Sequence, residues 1–134
     1  MNNNFISAEE FKKQSEKVQN TLRKWWEPQK FDLIYTIHGN SSIQGLTNSL
    51  IYYYRENHGI DYIRIGGTFP LLQMYQLINF IEDKVNKEIL INTWEYKGGI
   101  AAVVTLERLD IHVKSYKGIL DALWQVTIQI IEGE

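Results

Sequence analysis

The sequence predicts an α+β fold, an antiparallel sheet of hairpins with three packed helices. Apolar residues recur at steps of three and four in three separated segments, while apolar and polar residues alternate in the stretches between them. Those alternating stretches follow one another through glycine-bearing turns, which is the order of antiparallel hairpins rather than of parallel strands with long crossovers.

The first helix is predicted from about Ala8. Ser7 and Glu10 have capping-box spacing, and Ile6 with Phe11 has the spacing of a hydrophobic staple across the same start. Phe11, Val18, Leu22 and Trp25 form its apolar face, and Lys24-Trp25-Trp26 its last turn, because a proline at position 28 pushes the preceding residue out of helical geometry.

From Phe31 the period becomes two. Phe31, Leu33, Tyr35 and Ile37 alternate against Asp32, Ile34 and Thr36, which predicts a strand. His38 to Ser42 is turn chemistry, and the period up to Asn48 is too weak to assign. Residues 49–55 and 60–65 are predicted as a hairpin around Glu56-Asn57-His58-Gly59, since three consecutive tyrosines and several isoleucines favour strands.

Gly66-Gly67-Thr68-Phe69-Pro70 predicts a second helix start, with Thr68 as cap, proline in the first turn, and Leu71, Met74, Ile78, Ile81 and Val85 as the apolar stripe to about Asn86. Glu88 to Tyr96 and Ile100 to Leu106 predict a strand pair through Lys97-Gly98-Gly99, where glycine supplies the positive φ of a tight turn. Ile111-His112-Val113 predicts a short strand, and Ile119, Leu123, Val126 and Ile130 a closing helix that stops at Gly133.

At 134 residues the chain is expected to form a single domain, 1–134, with a short flexible N-terminus over residues 1–5. The formal net charge of -2 lacks the excess that advertises a phosphate-backbone binder, though it leaves room for a local basic patch. Cysteine is absent, which excludes disulfides, thiolate nucleophiles and thiolate metal sites. No apolar run is long enough to cross a bilayer and Met1-Asn2-Asn3-Asn4 does not open a signal peptide, so no membrane partner and a cytoplasmic location are expected.

The sequence carries no GxSxG, Walker-type phosphate loop or HExxH motif, so it is read as a non-enzyme with no catalytic residue and no cofactor. Ser41 and Ser42 beside His38 read as a turn. His38, His58 and His112 fall on separate elements without metal-ligand spacing, so no metal site is expected. The ligand-binding candidates are Tyr53, Arg55, Arg64, Gly66, Gly67 and Thr68. Tyr53 and Arg55 share a strand face in the hairpin reading, and the glycines let backbone approach an anion at a helix start beside Arg64. The competing reading is structural: cross-strand tyrosine packing and an ordinary Gly-Gly turn. Trp25 and Trp26 are interface candidates, since helix neighbours do not face the same way.

The segments Ser7-Ala8-Glu9-Glu10-Phe11, Trp25-Trp26-Glu27-Pro28, Phe69-Pro70-Leu71-Leu72 and Ile119-Leu120-Asp121-Ala122-Leu123-Trp124 resemble those of a broad group of small phage and prophage proteins of unknown function. The second half resembles phage domains built as an α/β/α sandwich. The resemblance implies a phage origin and, by analogy with small phage counter-defence proteins, a non-enzymatic accessory protein that binds and inhibits a host defence protein in the host cytoplasm. Two alternatives stand beside it: an oligomeric sponge for a nucleotide-derived immune signal, with the chain as a homo-oligomer, and a small nucleic-acid-binding protein.

Overall fold

The computed structural model describes residues 4–36, 42–58, 68–85 and 89–134. The fold is α+β with antiparallel sheets. The chain divides into two compact units, Ser7–Leu72, and Met1–Ile6 together with Gln73–Glu134.

The first unit opens with α1 (Ala8–Lys12) and α2 (Glu16–Trp25). Ser7 Oγ accepts the Glu10 backbone N–H at 3.1 Å, the capping bond that its spacing predicts. The single predicted helix is nevertheless two. Ser15 adopts extended geometry and accepts the Val18 N–H at 3.3 Å, so a second cap interrupts the stripe. Phe11, Val18 and Leu22 are wholly buried, and the helix ends at Trp25, two residues before Glu27-Pro28.

Three strands follow: β1 (Leu33–Thr36), β2 (Ser42–Gly45) and β3 (Thr68–Pro70), in the order β2-β1-β3. Alternation locates β1, but Phe31 and Asp32 precede the strand. Ile34 and Asp32 are buried, whereas Phe31 is 73% exposed. Asp32 is tolerated inside because its Oδ2 accepts both the Trp26 indole N–H and the Gln29 backbone N–H at 3.0 Å. Gln29 to Asp32 closes a turn through Asp32 N–H to Gln29 O, and Phe31 occupies its third position at φ 76°.

Residues 49–55 are not a strand. Asn48–His58 is α3, and the tyrosine hairpin is thereby overturned. Helical geometry seats Ile51 against the Trp26, Ile34 and Leu46 cluster and gives its N–H to Thr47 O at 3.0 Å. Tertiary packing of one isoleucine outweighs the modest strand preference of the tyrosines. The predicted partner strand over 60–65 lies outside the described residues, as do His38 to Ser41.

Thr68 caps no helix. It lies on β3 opposite Thr36, 1% exposed, and Pro70, on a strand that is an edge among the described residues, stands opposite Ile34 where its missing N–H costs no ladder bond. The helix starts later, as α4 (Met74–Val85). Gln76 Oε1 reaches back to accept the Gln73 N–H at 2.8 Å, the return arm of a capping box.

The second unit pairs α4 and α5 (Ile119–Glu132) with a sheet of β4 (Leu90–Tyr96), β5 (Gly99–Leu106) and β6 (Ile111–Ser115), ordered β4-β5-β6. Lys97 at φ 47° and Gly98 at φ 80° form a two-residue turn with positive φ at both centres, which matches the right-handed twist of the strands. Residues opposite in the ladder share a face. One face, with Ala102, Val104, Leu106, Val113 and Ser115, is buried, and α5 packs on β5 and β6. Leu123, Val126 and Ile130 of the predicted α5 stripe are all buried.

Candidate functional site

Tyr53 and Arg55 are exposed on α3, but two residues apart on a helix they do not face the same way. The shared face that the strand reading gave them is therefore not formed. Arg64, Gly66 and Gly67 lie outside the described residues. Thr68 is buried on β3 rather than open at a helix start. Trp26 belongs to the core, 2% exposed and hydrogen-bonded to Asp32, and Trp25 packs half-buried against the same cluster.

Phe11 and Phe69 of this unit meet edge to face at 6.2 Å, with Arg23 4.9 Å and Lys12 4.9 Å from the Phe69 centroid. Burial strips hydration from the Arg23 guanidinium and pushes its pKa down. Arg23 thus acts as a cationic brace between α2 and β3.

A more open constellation occupies the outer face of the β4-β5-β6 sheet. Alternation along β4 puts Trp94 and Tyr96 on that face, and the register of β5 and β6 adds Thr105, His112 and Lys114. Tyr116, just after β6, completes it. Its ring lies 4.5 Å from Tyr96 with a 37° tilt and 6.4 Å from Trp94 at 90°. Tyr96 is 38% and Tyr116 55% exposed, whereas Ala101, opposite Trp94, is fully buried.

Two ammonium groups flank the rings. Lys114 Nζ is 5.9 Å from the Trp94 centroid and Lys97 Nζ 5.4 Å from that of Tyr96, and neither lysine forms an ion pair among the described residues. Their charge is therefore available to an anion that approaches the rings.

The loop bearing Tyr116 is tied down on its inner side. Ser115 Oγ–H donates to Asp121 Oδ2 at 2.6 Å, Lys117 N–H donates to Ser115 Oγ at 3.1 Å, and Gln125 Nε2 donates to the same Asp121 oxygen at 2.6 Å. Asp121 lies in the first turn of α5, where a carboxylate also suits the helix dipole.

Thr105 Oγ1 and His112 Nδ1 lie 3.0 Å apart on the outer face. They are cross-strand partners, and a hydroxyl–imidazole hydrogen bond is an ordinary product of that register. Among the described residues no group of three or more His, Asp or Glu side chains is placed to hold a metal ion. The rings, ammonium groups and hydroxyl of the face offer stacking, charge attraction and hydrogen bonding.

The sequence alone did not gather Trp94, Tyr96, Lys97, Lys114 and Tyr116 into one site. The available signal was the two-residue step from Trp94 to Tyr96 beside a glycine turn, repeated in the step from Lys114 to Tyr116.

No protein-family model, curated protein or solved structure matches this chain.

Proposed function

We propose that this chain is a non-enzymatic binding protein that holds single-stranded nucleic acid on the outer face of the β4-β5-β6 sheet. The observation that carries this reading is the cluster of Trp94, Tyr96 and Tyr116, with centroids 4.5 and 6.4 Å apart, flanked by Lys97 and Lys114. Unpaired bases present flat apolar faces that stack on such rings, while the adjoining phosphates require cations at the border of the same surface. A net charge of -2 is compatible with this because the lysines act locally. Duplex DNA hides its base faces in the stack, so the surface favours unpaired strands. A nucleotide-derived signal is the smallest ligand with the same chemistry.

A protein target is the second reading, favoured by the residue types. Trp and Tyr side chains are frequent energetic centres of protein interfaces. The phage counter-defence role implied by the sequence resemblance enters here, with the same rings as anchors for a host defence protein.

The test is fluorescence anisotropy with a labelled single-stranded oligonucleotide and a duplex of the same sequence. The single strand is expected to bind more tightly. Tyr116→Ala should weaken it by roughly five- to 150-fold, the equivalent of about 1–3 kcal/mol for one lost base stack. No binding at low salt, or equal affinity for wild type and Tyr116→Ala, overturns the proposal.

A further inference from the structure

We infer that the free edge of β4 pairs antiparallel with β4 of a second copy of this chain, which makes the protein a dimer with one continuous six-stranded sheet. Among the described residues the sheet order β4-β5-β6 leaves two edges, and they differ in kind. β6 is five residues long and carries Lys114 at its fourth position, a charged residue of the sort that discourages edge pairing. β4 reads Leu-Ile-Asn-Thr-Trp-Glu-Tyr, a longer edge of seven residues with neither lysine nor proline and with a single charge, Glu95, near its end. Such an edge is a template for another strand.

The hairpin turn fixes which backbone groups are on offer. Tyr96 and Gly99 close a two-residue turn, so they exchange hydrogen bonds, and the bonding positions on β4 then alternate backwards from Tyr96. The N–H and C=O groups of Ile91, Thr93 and Glu95 consequently point away from β5. None of them bonds to another backbone segment among the described residues.

These three residues are self-complementary about a two-fold axis through Thr93. In that register Thr93 faces the partner's Thr93, and Ile91 faces the partner's Glu95. The two Glu95 carboxylates stand on opposite sides of the axis and do not oppose each other, so the pairing escapes the like-charge penalty of many self-paired strands. On the outer face Leu90 meets the partner's Tyr96, and Trp94 becomes a diagonal neighbour of the partner's Trp94 at about 7–8 Å, within reach of aromatic rings. A symmetric pair of this kind closes on itself and leaves no further β4 edge.

The dimer does not depend on the nucleic-acid reading, and its test needs no ligand. Light scattering of the full chain at micromolar concentration should give twice the 15.8 kDa chain mass. Thr93→Pro removes a central outward N–H at an edge position where proline is tolerated, and Thr93→Lys sets two ammonium groups at the axis. Both variants are expected to be folded monomers, with folding followed by circular dichroism. The chain has no cysteine, so Thr93→Cys introduces a single thiol. Hydrogen-bonded partners across an antiparallel pair lie about 5.5 Å apart between Cα atoms, within the range a disulfide spans. Mild oxidation should then give a covalent dimer in high yield, whereas Lys114→Cys, on the other edge, should not. A wild-type monomer at high micromolar concentration, or a dimer that survives in folded Thr93→Lys, overturns the inference. So does Thr93→Cys that fails to cross-link.

Discussion

Replacement of Lys97 and Lys114 by alanine isolates the electrostatic half of the proposed site. Each ammonium group sits 5.4–5.9 Å from the centroid of a ring on the outer face, and neither is neutralised by an acidic partner among the described residues. Two phosphates are therefore the natural complement. For single strands, log affinity falls with log salt at about -0.7 per neutralised phosphate, so two contacts give a slope of about -1.4. A rise from about 50 to about 200 mM salt then weakens binding roughly sevenfold, about 1.2 kcal/mol. Either single alanine variant should halve the slope, to about -0.7, and the double variant should bring it near zero while the stacking contribution persists. The assay is anisotropy of a labelled oligonucleotide titrated at four or five salt concentrations. A wild-type slope near zero refutes the phosphate role of these lysines and favours a protein target. A steep slope unchanged in the double variant moves the phosphate contacts elsewhere on the molecule.

Asp32→Ala should destabilise the first unit by roughly 2–4 kcal/mol, because it orphans the Trp26 indole N–H and the Gln29 N–H together, and chemical denaturation measures it. A loss below about 0.5 kcal/mol shows that water replaces the carboxylate. Phe31→Gly should stabilise by about 1 kcal/mol, since the third position of this turn has φ 76° and an exposed phenyl group gains little there. A lower melting temperature for Phe31→Gly instead identifies the ring as a packing contact.

The elements whose local chemistry and packing agree were legible in the sequence. Lys97-Gly98-Gly99 announced a tight hairpin, the Ser7 and Glu10 pair a helix start, and the stripe from Ile119 to Ile130 the closing helix. The misreadings share a cause: they depend on distant partners. Asp32 is polar and alternation gives no sign of its burial, yet Trp26 satisfies it inside. Ser49 to Arg55 carries residues with a modest strand preference, yet its fate rests on the contact of Ile51 with Trp26, Ile34 and Leu46, which belong to three other segments. Pro70 suited a helix start until β3 found an edge beside β1. The outer face was illegible for a related reason. Its rings come from β4 and from the residue after β6, and only the strand register makes neighbours of Trp94, Tyr96 and Tyr116.

The knot of Ser115, Lys117, Asp121 and Gln125 beneath the Tyr116 loop bears on how fast the face can work. A loop held by three hydrogen bonds at its base gives up its conformational freedom when the protein folds, not when a ligand arrives. Encounter then meets a platform already in its binding geometry, so association should proceed in one kinetic phase with a rate linear in ligand concentration. Asp121→Ala, which leaves every ring in place, would return that entropy cost to the binding step and give a weaker complex with unchanged contacts.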